Sequence, residues 1–99
     1  MSTTINAPLD LKKVEKISKA LGDPYRLKII ELIKKQRCAM ACSEIIDTFN
    51  LSQSTISHHV KQLIEADLII PEKEGRYVSY QVNKEVISSY IKFLRNIGD

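Results

Sequence analysis

The chain has no tryptophan, only two phenylalanines and four tyrosines, and just two cysteines, three glycines and three prolines among its 99 residues. Each scarcity removes a class of protein. Two cysteines do not make a disulfide framework, and in a reducing compartment they are expected to be thiols. The scattered glycines form no phosphate-cradling loop. No apolar run approaches the roughly 18 residues of a membrane span, and the opening MSTTINAPLD lacks the apolar region of a signal peptide. A cytoplasmic protein with no membrane partner is therefore expected. Charge of one sign is also scarce: 15 Lys+Arg stand against 12 Asp+Glu, a net +3. That surplus permits nucleic-acid binding without demanding it, so a basic footprint has to be local. There is no nucleophile with a base and an orienter, and there are no paired carboxylates at a recognisable spacing. Neither an enzyme nor a cofactor is expected, and no metal site is assigned.

What is present is enough apolar sequence, 43% of the residues, to bury one core. Residues 1–8 are expected to be a disordered tail, and 9–99 a single domain with no repeat or internal linker. Leu11, Val14, Ile17 and Leu21 mark a first amphipathic helix, stopped by Gly22. Asp23-Pro24 starts a second, running to about Gln36 with a wide apolar face at Leu27, Ile29, Ile30, Leu32 and Ile33. Lys34, Lys35 and Arg37 suit its C-terminal end.

The densest signal lies between Ser43 and Leu68. Ile45, Ile46 and Phe49 are the buried positions of a short helix. Asn50-Leu51-Ser52 interrupts it, with Ser52 placed to cap the next helix. There Ile56, Val60, Leu63 and Ile64 form one helical stripe. Ser54, Thr55, His58, Lys61 and Gln62 turn away from that stripe at about 100° per residue. Short polar groups on a rigid helix suit the reading of base edges in a major groove. His58 and His59 diverge, so the pair does not ligate one ion, and His59 is expected to be packed and hydrogen-bonded.

Beyond Leu68 the period changes. Leu68-Ile69-Ile70 is a short buried run, Glu74-Gly75 a turn, and Val78, Tyr80 and Val82 alternate as in a strand. Pro71 predicts a short first strand at a sheet edge. The hairpin tip carries Lys73, Arg76 and Tyr77, suited to DNA phosphates. Asn83 caps a last helix whose apolar arc from Val86 to Ile97 is too broad for one small domain, which predicts a second copy. The expected fold is mainly α with a small β-hairpin, a dimeric winged helix-turn-helix of order α-α-α-α-β-β-α.

Three segments resemble the ArsR/SmtB family of bacterial winged-helix repressors. They are Ala20–Ile29 (ALGDPYRLKI), Leu51–Leu63 (LSQSTISHHVKQL) and Glu74–Tyr80 (EGRYVSY). The resemblance implies a homodimer through the first and last helices. It also implies binding to double-stranded operator DNA, and repression relieved by a metal ion or a thiol-reactive inducer. It places Gln53, Ser54, Thr55, Ser57, His58 and Lys61 on the recognition helix and Lys73, Arg76 and Tyr77 on the wing. One family metal site uses His and carboxylates along the last helix. Here that helix has no His and only Glu85 and Asp99, so that site is not expected. Another family site holds two cysteines one residue apart before the recognition helix, whereas Cys38 and Cys42 are four apart. Three readings of Cys38 and Cys42 stay open: small apolar packing residues, a thiol or persulfide switch, or part of a soft-metal site. For the whole chain the competing reading is a winged-helix module that docks a protein partner. Ser54, Thr55, His58 and Lys61 offer no aromatic or aliphatic hot spot for that.

Overall fold

The computed structural model describes residues 9–35, 40–41, 45, 47–75 and 77–99. The tail expected at 1–8 lies outside them. Helix α1, Leu11–Ala20, begins where the Asp10 carboxylate accepts the Lys13 N–H at 2.7 Å. A short acceptor there satisfies one of the N–H groups that a first helical turn leaves without a partner. Helix α2, Pro24–Lys35, starts in the same way, with Asp23 accepting from the N–H groups of Tyr25 (2.8 Å) and Arg26 (3.3 Å). Its buried residues are Ile29 and Ile33. The expected core face is narrower than the sequence suggested. Leu27 is 47% exposed, and Ile30 and Leu32 only pack against the core's margin.

The chain then forms strand β1, Met40–Ala41, which the sequence reading did not foresee. Helical backbone follows at Ile45, Asp47 and Thr48, with the Phe49 N–H closing onto the Ile45 carbonyl. Ile45 is fully buried, and Ile46 is outside the described residues. After the break, Ser52 in extended backbone accepts the Thr55 N–H and opens helix α3, Gln53–Glu65. At the other end Asp67 takes a φ of 59°. Its N–H bonds the Ile64 carbonyl, and the next N–H, of Leu68, reaches back to Leu63. This paired closure is common at helix ends, with glycine usual in the left-handed position; aspartate is among the few other residues that tolerate it. Lys13 of α1 forms an ion pair with the Asp67 carboxylate.

Strand β2, Ile69–Glu74, turns directly into strand β3, Tyr77–Val82. The register runs antiparallel from Ile69 opposite Val82 to Glu74 opposite Tyr77. Only two residues therefore connect the strands, and Gly75 supplies a φ of 60°. β1 pairs with the other side of β3, Met40 opposite Tyr80, so the sheet order is β1-β3-β2. β2 is an edge strand as expected from Pro71, but at six residues it is as long as β3. An edge position lets the ladder continue past a residue with no N–H. Alternation also cuts the expected buried run short: Leu68 and Ile69 are buried, while Ile70 faces outward.

Helix α4, Lys84–Gly98, is capped by Asn83, whose side chain accepts from Val86 and whose N–H bonds the Leu68 carbonyl. The core is built from Ile17, Ile29, Ile56, Leu63 and Leu68, one or more from each of the first helices and the α3–β2 corner. α4 buries no residue fully. Val86, Ile87 and Tyr90 pack on the core's margin, whereas Ile91, Leu94 and Ile97 stay 48%, 43% and 68% exposed. Leu11 on α1 is 75% exposed.

Candidate nucleic-acid interface

The inward side of α3 is Ile56, His59, Val60 and Leu63. Gln53, Ser54, Thr55, Ser57, His58 and Lys61 are all exposed. At about 100° per residue, Ser54, His58 and Lys61 share a sector of roughly 60° opposite the buried stripe. Ser57 borders that sector, and Gln53 and Thr55 lie on its flanks. The first turn holds no acid, so the positive end of the helix dipole is unopposed there. Thr55 is more committed than the sequence suggested: its N–H and its Oγ1 both meet the Ser52 hydroxyl, at 3.2 and 2.8 Å. The Ser54 hydroxyl lies 3.2 Å from the same atom. These contacts order the helix start, and they leave His58 and Lys61 as the long exposed polar side chains of the sector.

In the hairpin, Lys73 is exposed opposite Val78, and the backbone of Tyr77 opens β3 beside the turn. Arg76, Cys38 and Cys42 lie outside the described residues. Among the described residues no three His, Cys, Asp or Glu side chains are grouped to hold a metal ion. No helix among them is long and apolar enough to cross a membrane.

One cluster escaped the sequence reading. Arg26 donates from Nε to the Nδ1 of His59 at 3.1 Å and from Nη1 to the Lys19 carbonyl at 3.2 Å. The Tyr25 ring lies stacked over His59 at 22° with centroids 6.3 Å apart, and Phe49 meets the Tyr25 ring edge-on. His59 is buried, as its place at the border of the stripe predicted, and His58 is not. Burial pushes the His59 pKa below its ordinary value, Asp23 opposes that fall, and Arg26 and His58 add to it. Burial pushes Asp23 up, but the N–H groups of Tyr25 and Arg26, with the charges of His59 and Arg26, outweigh it and hold the carboxyl below its usual range. The only trace of this Arg26 contact in the sequence is a cation in the first turn of α2, where the helix dipole is mildly unfavourable to it, and that does not name a partner.

A helix-turn-helix domain family matches residues 21–72, just over half of the chain. The chain is 35% identical over 80 residues to the arsenical resistance operon repressor of Staphylococcus xylosus, spanning 80% of this chain and 74% of that protein. Among solved structures it resembles an ArsR-like transcriptional regulator from Rhodococcus, with a TM-score of 0.77 at 22% identity, over 88% of this chain and 80% of the other. It also resembles a homodimeric winged helix-turn-helix DNA-binding domain from Mycobacterium bovis, with a TM-score of 0.71 at 22% identity, over 90% and 81%. An amphipathic helix locked to the core, a hairpin set directly after it and these relatives agree: the chain belongs to the ArsR family of winged helix-turn-helix, DNA-binding transcriptional regulators.

Proposed function

We propose that this regulator is a homodimeric repressor that binds double-stranded operator DNA. In this reading α3 enters the major groove and the hairpin lies along the flanking backbone. The observation that carries it is the exposed sector of Ser54, His58 and Lys61, on a helix whose other side is fixed in the core. Ser54 and His58 read base edges, with Gln53, Thr55 and Ser57 at the margins. Lys61, Lys73, Arg76 and Tyr77 meet the phosphate backbone. The dimer forms through α1 and α4, where Leu11, Ile91, Leu94 and Ile97 are left uncovered. A two-fold axis then sets half-sites about one helical turn apart, roughly 10 bp or a small multiple.

The test is titration on the protein's own promoter region and on a scrambled duplex at rising salt. The reading expects a steep fall of affinity with salt on both duplexes and a lasting preference for the promoter. Equal affinity for the two would end it, and a salt-insensitive interaction would favour a protein-docking module. For Cys38 and Cys42 the readings to be separated are structural thiols, a thiol-reactive switch and part of a soft-metal site. The two cysteines stand in sequence on either side of β1, which is paired to β3, so a covalent change between them acts on a segment tied to the hairpin. If they sense an inducer, thiol oxidants, persulfide donors or soft metals should release DNA from the native protein but not from Cys38→Ser or Cys42→Ser. Full induction of both variants in cells would make the thiols structural.

A further inference from the structure

We propose that Arg26 is a positioning residue for DNA reading: its hydrogen bond to the buried His59 fixes the roll of α3 about its own axis. The inference rests on α3 being the reading helix. Arg26 is the third residue of α2, and its one guanidinium joins three helices. Nε–H donates to His59 Nδ1 on α3 at 3.1 Å, Nη1 donates to the carbonyl of Lys19 near the end of α1 at 3.2 Å, and the backbone N–H is held by Asp23. His59 is the buried polar residue among the described core, with Tyr25 stacked on its ring.

The other buried residues of α3 are Ile56, Val60 and Leu63, with Ile64 packed at the core's margin. Apolar burial is non-directional and specifies no distance or angle to a single partner, whereas a hydrogen bond holds both. His59 directly follows His58, and their ring centroids are 6.1 Å apart. An anchor at one therefore sets the azimuth of the other, and with it that of Ser54 and Lys61. A roll of about 20° would carry a side-chain tip near the roughly 5–6 Å helix radius by about 2 Å. That exceeds the distance range over which a hydrogen bond to a base survives.

The bond also selects a tautomer. Nδ1 accepts, so the ring proton sits on Nε2. A second proton would turn Nδ1 into a donor facing a guanidinium and would break the anchor. The charged and titratable groups facing the ring are Asp23 at the cap of α2, Tyr25 and Arg26 from α2 and His58 from α3, with burial the largest influence lowering its pKa.

The test uses the full chain and two duplexes: one recovered by repeated selection from a randomised library with the unaltered protein, and its scrambled version. Arg26→Met should bind the selected duplex about tenfold more weakly, the scale of one lost hydrogen bond to a charged donor, with the scrambled duplex and the salt slope unchanged. Arg26→Lys, which keeps the charge but lacks the Nε–H, should not restore binding. His59→Asn, whose amide oxygen falls near the place of Nδ1, should keep most of the preference, and His59→Leu should lose it. The double variant Arg26→Met with His59→Leu should be no weaker than the weaker single one. Preference for the selected duplex should decline only on the acid side of the ordinary imidazole value, because burial holds the His59 pKa below it, and the decline should be steeper in the native protein than in His59→Asn.

Three results overturn the proposal. Equal loss on both duplexes with a flatter salt slope makes Arg26 a phosphate ligand. A lower melting temperature with an unchanged ratio between duplexes makes the bridge merely structural. Equal behaviour of His59→Asn and His59→Leu removes the anchor, and that comparison stands even if Arg26→Met fails to fold. Failure of the library to yield any preferred sequence is a separate outcome, which sinks the reading role of α3 and the positioning role with it.

Discussion

Replacing Ile91 by glutamate should split the dimer while leaving the protomer folded. Ile91 is 48% exposed on α4 and contributes nothing to the fully buried core, so the isolated chain loses little. Complete burial of such a side chain is worth about 1.5–3 kcal/mol, so covering the exposed half is worth about 0.7–1.5 kcal/mol. In a two-fold interface the same residue is lost twice, which brings the loss to roughly 1.5–3 kcal/mol. At about 1.4 kcal/mol per tenfold, the dimer dissociation constant should rise between about tenfold and a hundredfold. Two carboxylates carried into a dry seam raise it further. Asn96→Glu is the control, since it adds the same charge about 140° around the helix from Ile91. Sedimentation equilibrium across micromolar concentrations reads the shift, and circular dichroism confirms an unchanged helix content. An Ile91→Glu chain that dimerises as tightly as the Asn96→Glu chain would refute the α4 interface, and a native chain that sediments as a monomer at micromolar concentration would refute dimerisation altogether.

His58→Ala should weaken promoter binding by about 1–3 kcal/mol and leave random DNA nearly untouched; equal losses on both would remove its base-reading role. Lys73→Ala should weaken all sequences alike and reduce the salt slope by about one, as filter-binding at several salt concentrations would show. Ser52→Ala removes the acceptor for the Thr55 N–H and the partner of its hydroxyl; it should cost about 1 kcal/mol and, in a domain of this size, about 4–8 °C of melting temperature by calorimetry. Stability should also depend on acid through His59. Its folded pKa is lowered, so its contribution is complete above about pH 6.5 and is lost as pH falls from there through the folded value. Asp23, also lowered, contributes only to a later loss, below the usual carboxylate range. Urea midpoints between about pH 5 and 8 should fall on the acid side for the native chain and stay flatter for His59→Leu.

Local patterns revealed most of the elements because most are built locally. Caps at Asp23, Ser52 and Asn83, and stripes such as Ile56, Val60 and Leu63, lie within a few residues of what they organise. β1 was illegible for the opposite reason. Met40 and Ala41 show no alternation of their own, and their partners, Tyr80 and Ser79, lie far along the chain. The Arg26–His59 bond spans 33 positions and joins two residue types that seldom signal each other in sequence. The reading of α2 overcounted its core face because hydrophobicity marks what can be buried, and Leu27 shows that the protomer alone does not bury it. Likewise the outward residues of α3 were legible from their angle, but Thr55's engagement with Ser52 depends on a hydroxyl rotamer that angle does not specify.

The corner at Ala66, Asp67 and Leu68 has a consequence for how such a regulator can be controlled. Three residues join α3 to β2, all three of their N–H groups are tied back into the helix, and the Leu68 carbonyl is also clasped by the N–H of Asn83 at the start of α4. One added residue would invert every side chain of β2, so the corner cannot lengthen or swivel without unmaking the hairpin. In the proposed complex, each protomer thus carries a rigid yardstick between the groove that α3 would read and the backbone on which the hairpin would rest. An inducer that leaves the fold intact has little to adjust within one half-site. What it can change is the spacing and tilt between two such yardsticks, and a mismatch there is felt only by DNA that must satisfy both.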